Sequence, residues 1–131
     1  MDSHVIDSSE PYHPEKLAEK EYVGAAAYFE QDLRAGVIIR VEEFPEMRKP
    51  SYKIEVDFGP VIGRRWSSAQ ITNYARSDLV GRTVVGALNL GDKTLPTGFV
   101  SQFLVLGALD PDGTVRLLEL PDGVLPGSMV A

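Results

Sequence analysis

The sequence predicts an all-β fold with minor helix: one small closed sheet of about five strands, preceded by a short helix. Three observations predict it. Apolar residues alternate with a period of two over short segments, not at the 3.6-residue spacing of long helices. Turn-forming residues separate these segments, among them Gly59-Pro60, Gly63 and Asp110-Pro111-Asp112-Gly113. The chain's 131 residues, 44% of them hydrophobic, suit a single core.

Residues 1–23 are polar, hold Ser3, Ser8, Ser9, Pro11 and Pro14, and offer no apolar periodicity for a core element. They read as a flexible acidic head, leaving residues 24–131 as the folded domain. The alanine-rich stretch 25–31 predicts a short helix, with Tyr28, Phe29 and Leu33 as apolar anchors against the body. Beyond it, Val37, Ile39 and Val41 alternate with Ile38, Arg40 and Glu42, which predicts a strand with one buried face, and a turn follows over 44–50. Tyr52, Ile54, Val56 and Phe58 alternate with Lys53, Glu55 and Asp57 in the clearest strand of the chain. Gly59-Pro60 breaks it, and residues 61–67 return as its hairpin partner. Residues 71–79 read as a short helix or turn stopped by Gly81, followed by a strand over 83–90 and a loop over 91–98. The apolar run 103–109, the turn at 110–113 and the return segment 114–120 complete the pattern. At this length a five-stranded OB-fold barrel is the natural candidate, and an SH3-like barrel fits the same pattern.

Charge and composition narrow the chemistry. The formal net charge of −6 argues against a generic polyanion binder, since nonspecific nucleic-acid affinity rests on lysine and arginine. The charge is uneven: residues 48–82 carry seven bases against three acids, and every other stretch is acidic. No run approaches the roughly 18–20 apolar residues of a membrane span, and Asp2, Asp7 and Glu10 stand where an export signal would be basic and then apolar. The expectation is a cytoplasmic chain with no membrane insertion. Without cysteine there is no disulfide, thiolate nucleophile or cysteine metal site. The only histidines, His4 and His13, fall in the head without a ligand pattern, so neither a metal nor an imidazole base on the core is expected. Phosphate-loop spacing is missing, and Pro111 together with the absent twelfth-position glutamate makes Asp110 and Asp112 a turn rather than a calcium loop. Glu42 and Glu43, adjacent on a strand, point to opposite faces. No catalytic residue and no cofactor is expected.

What remains suits binding. Arg64, Arg65, Trp66, Ser67, Ser68 and Gln70 bring cations, an aromatic plane and short hydrogen-bonding groups together, a mixture that can hold either phosphate and base or an extended peptide. The same residues also fit a structural role, Trp66 filling core and Ser67-Ser68-Ala69-Gln70 capping a helix near Ile71.

A family resemblance runs through Asp32-Leu33-Arg34-Ala35-Gly36, Glu42-Glu43-Phe44-Pro45-Glu46-Met47-Arg48, Val56-Asp57-Phe58-Gly59, Ser67-Ser68-Ala69-Gln70-Ile71, Asn89-Leu90, Gly98-Phe99 with Ser101, and Leu104-Val105-Leu106-Gly107. In order, from about Ala27 to Ala131, these residues resemble the tRNA-binding domain in its CsaA form. The resemblance implies an OB-fold barrel, a homodimer built from segments at both chain ends, and a chaperone that engages unfolded preproteins or peptides and the export machinery. Relatives appended to methionyl-tRNA synthetases bind tRNA. Where the family carries basic residues and a Phe-Lys-Ser-Glu-like run, this chain has Phe99-Val100-Ser101-Gln102, with Lys93 as the one surviving base. That loss of charge and gain of apolar surface favours peptide over tRNA. The candidate binding residues are Arg65, Ser67, Ser68, Gln70, Asn89, Phe99 and Ser101.

Overall fold

A computed structural model describes residues 12–131. Residues 1–11 of the acidic head, His4 among them, lie outside the described residues. Residues 13–23 are exposed and include one 3-10 turn, Pro14–Lys16. The short helix α1 spans Ala25–Phe29 but is not anchored as expected, since none of its side chains is buried and Phe29 is 69% exposed. Tyr28 and Phe29 instead pack edge-on against each other, with ring centroids 5.3 Å apart.

The barrel begins with β1, Leu33–Glu43, and β2, Tyr52–Asp57, an antiparallel pair. Tyr52, Ile54, Val56 and Phe58 are all buried, as their alternation predicts. The buried face of β1 differs from the expected one. Ala35, Gly36 and Ile38 are buried, while Val37, Ile39 and Val41 are partly covered. The cause is a register shift: Ile38 faces Val56 but Arg40 faces Glu55, so Ile39 is an extra residue that exchanges the strand's faces and brings Val41 onto the core.

A helical turn, α2 (Gly59–Ile62), links β2 to its antiparallel partner β3 (Arg64–Ala69). The strand runs on through the serines, so Ser67 and Ser68 cap no helix. The helix α3 forms only at Arg76–Leu79, and Gly81 beyond it takes φ +94°. Next comes β4, Thr83–Ala87, antiparallel to the first half of β1. The expected loop over 91–98 contains a strand: β5 (Lys93–Thr94) pairs with β6 (Val100–Ser101). The apolar run 103–109 divides into β7 (Leu104–Val105), which joins β4, and β8 (Gly107–Leu109), which pairs with β9 (Val115–Leu117). The main sheet has the order β3-β2-β1-β4-β7.

The seam between β3 and the chain around β6 and β7 nearly closes the barrel, and side chains make most of it. Gln102 N donates to Trp66 O at 2.8 Å, and Trp66 N donates to Gln102 Oε1 at 2.9 Å. Ser67 Oγ donates to Phe103 O at 2.7 Å and lies 3.1 Å from Ser101 Oγ, which accepts from Ser68 N at 3.3 Å. The result is a five-stranded OB-fold barrel around Phe58, Phe103, Ile54 and Val84. Residues 127–130 add a last strip along β1: Ala35 N donates to Ser128 O, and Val130 N donates to Leu33 O.

Candidate binding surface

Because β2 buries Tyr52, Ile54 and Val56, its intervening residues Lys53 and Glu55 face outward. Register then builds two outward rows across three strands. Glu42, Lys53 and Ser68 form one, and Arg40, Glu55 and Trp66 the other. Opposite charges meet within them, with Arg40 Nε 3.8 Å from Glu55 Oε1. Two phenylalanines reach over this face, Phe44 from the end of β1 and Phe99 from the start of β6.

Phe99 is the hub. It packs edge-on against Phe44 at 5.3 Å between centroids and against Trp66 at 6.5 Å. The Lys53 ammonium sits 4.8 Å from the Phe44 ring centre and 5.4 Å from that of Phe99, within cation–π range. Glu42, Lys53, Trp66, Phe99, Val100 and Gln102 line an open cleft of about 400 Å³. Trp66 therefore does not fill core, and Gln102 fixes its backbone from both sides. Such a surface offers apolar ring faces and edges beside a cation and an acid.

The sequence-derived candidates divide. Phe99 stands in the cleft, Ser68 follows Trp66 along the outward side of β3, and Gln70 lies just past the strand's end. Ser67 and Ser101, 1% and 2% exposed, are the buried hydroxyls of the seam. Arg65 lies opposite Val56 in the inward-facing series of β3, and its Nη1 donates to Leu88 O at 3.2 Å. Asn89 ties the entry of β1 to the end of β4, accepting from Asp32 N at 2.9 Å and donating to Glu30 O at 2.7 Å. Phe44, Lys53 and Gln102 were absent from the candidates. The strict alternation of β2 already turned Lys53 outward, but only pairing reveals that it shares a face with Trp66.

Four of the seven bases in the basic middle of the sequence are engaged at separate places. Arg76 pairs with Glu43 at 3.4 Å, and Arg82 pairs with Glu119 while lying over the Tyr74 ring. Lys53 is held over the aromatic rings and Arg65 bonds a main-chain carbonyl. Among the described residues no helix is long and apolar enough to cross a membrane.

A family model described as a putative tRNA-binding domain matches residues 33–129. The solved CsaA chaperone protein of Picrophilus torridus is similar with a TM-score of 0.78 and 40% identity, over 84% of this chain and 100% of that one. Chaperone CsaA of Bacillus anthracis str. Ames gives 0.75 and 34% identity, over 85% and 100%. A methionine–tRNA ligase of Phocaeicola vulgatus is 32% identical over 99 residues, 76% of this chain and 14% of the ligase. The chain thus spans about one seventh of the curated relatives it matches.

Proposed function

The chain belongs to the putative tRNA-binding domain family in its CsaA-type form, and from that premise we propose that it is a non-catalytic chaperone holding extended segments of unfolded preproteins for export. The observation that carries this reading is the ring pair Phe99–Trp66 in the cleft, backed by the buried Phe44 ring and set among charges of both signs. Ring faces give an apolar segment something to bury, and the strand edges and short polar groups nearby serve its main chain. Mixed signs in the two outward rows give little field to attract a phosphate backbone. In this reading the protein works in the cytoplasm as a homodimer, delivers its clients to the export machinery, and carries residues 1–23 as a flexible acidic head on the domain of residues 24–131.

A second reading, a free-standing tRNA-binding protein, draws on the family match and on rings beside Lys53 that a base can stack against. Titration of one preparation with an unfolded preprotein and with tRNA, at about 150 mM salt, separates the two, because each phosphate contact adds at most about −0.9 to the salt slope. The chaperone reading expects the tighter complex with the preprotein and a shallow slope with tRNA. Phe99→Ala should weaken the preprotein complex by about 1–3 kcal/mol, the scale of a lost aromatic contact. Submicromolar tRNA binding with no preprotein binding gives the function to the second reading.

A further inference from the structure

Beside the aromatic cleft lies a smaller cavity, and the geometry points to it as an anchor subsite for one aliphatic side chain of an extended peptide. This rests on the peptide-binding reading above and gives it a specificity. The cavity has a volume of about 80 Å³. Ile71, Leu104, Val105 and Val115 give it apolar walls, and Ser68 and Gln70 contribute polar groups. Among the described residues, the Ser68 hydroxyl and the Gln70 side-chain amide have no hydrogen-bond partner. Both are available to the main chain of a ligand.

Two features define the occupant. The first is spacing. Trp66 lines the cleft and Ser68 lines the cavity, two residues apart on the same outward side of β3. Residues two apart on a strand are separated by roughly 6.5–7 Å, the repeat at which an extended peptide presents side chains to one side. A peptide lying along β3 with one side chain on the Trp66–Phe99 rings brings the side chain two positions away to the cavity. The second is size. A cavity of about 150 Å³ accepts a benzene ring, so roughly half that volume takes a branched aliphatic group and excludes a six-membered ring. By size the cavity suits a valine or leucine side chain better than a nucleobase. The cavity therefore separates polypeptide from nucleic acid on a surface whose aromatic part suits both.

The test uses the intact chain and short extended peptides that share one aromatic residue and differ only two positions from it, as valine, leucine, glycine or phenylalanine, measured by calorimetry. Valine or leucine should bind about tenfold tighter than glycine, and phenylalanine no tighter than glycine. Ser68→Leu, which fills the cavity from its edge, should erase the valine-over-glycine preference and leave the dependence on Phe99 intact, with melting temperature checking the fold. If all four peptides bind alike, the subsite is overturned while peptide binding stands. If none binds, the chaperone reading fails, and N-acetylvalinamide against N-acetylglycinamide then decides the cavity alone by NMR. Shifts at Ile71 and Val115 with the valine probe only would uphold it, and shifts with neither or with both would overturn it.

Discussion

Phe58 sits at the centre of the barrel, fully buried and edge-on to Phe103 at 5.0 Å between centroids. Its ring fits because β1 and β4 present glycine there: a Cβ on Gly36 would fall 2.6 Å from Phe58 Cδ1, and one on Gly86 2.6 Å from Cζ. Neither glycine has positive φ, so close approach and not backbone conformation demands it. Gly86→Ala should overpack the core and lower stability by about 1–3 kcal/mol in urea denaturation, with Phe58→Leu in the same chain recovering part of the loss. An unchanged midpoint for the single variant would mean that the core yields there. Gln102 acts on the other side of the fold. Gln102→Ala removes the acceptor of the Trp66 N–H and should cost about 1 kcal/mol and shift the emission of the sole tryptophan, whereas Gln102→Glu keeps an acceptor and should restore both. At this scale the sequence was legible where a residue's own neighbours decide its place, as for Phe58 at the end of an alternating strand. It was not legible where a distant partner decides. Ser67 and Asn89 have the chemistry of ligand-binding residues, but the hydrogen bonds that place them run to groups 34 and more positions away, beside one local contact of Ser67 with Ser68 O.

Among elements, β2 was fully legible because one face is buried along its whole length. Its partner β1 was not, since an extra residue at Ile39 exchanges its faces and periodicity alone carries no mark of a bulge. The β5–β6 hairpin is not legible in the sequence, because its paired segments are two residues each, too short for alternation to register. The turn between β8 and β9 follows its sequence closely: Asp112 accepts from Thr114 N at 2.8 Å, and Gly113 N donates to Asp110 O. Hydrogen bonding from Thr114, first from its side-chain hydroxyl and then from this backbone N–H, holds the Asp112 carboxyl below its ordinary value. With the folded-state value lowered, the turn's stabilisation is complete above the ordinary aspartate range and disappears as pH falls through the lowered value. Amide exchange at Thr114 should therefore accelerate only in acid, at fixed intrinsic rate. Asp112→Asn should make the same amide insensitive to pH, and an acid response that survives this substitution would point to another group.

At the scale of the whole molecule, Val61, Leu125 and Met129, 83%, 74% and 77% exposed, are apolar groups that one barrel leaves uncovered. Val61 and Leu125 line one cleft with Arg34, whose backbone bridges to Met129. If this face joins two copies, Leu125→Lys with Met129→Lys should give monomers at micromolar concentration by sedimentation, with little change in fold, because a stable pair buries more than about 1,200 Å². An unaltered dimer would move the interface elsewhere, and a wild-type monomer would remove it. Point substitutions discriminate better than truncation here, since residues 127–130 also hydrogen bond along β1. Deletion of residues 1–21 should leave fold and association intact, and a melting temperature many degrees lower would show a packed element in that stretch. The strip at 127–130 also sets an order of events during synthesis. Strand β1 is among the first parts of the barrel to be made, yet its main-chain groups at Leu33 and Ala35 wait for almost the last residues of the domain. A chain interrupted before Gly127 leaves the outer edge of β1 bare at Leu33 and Ala35, the kind of surface that draws aggregation. Until residues 127–130 are in place, this protein resembles the unfolded segments it is proposed to hold.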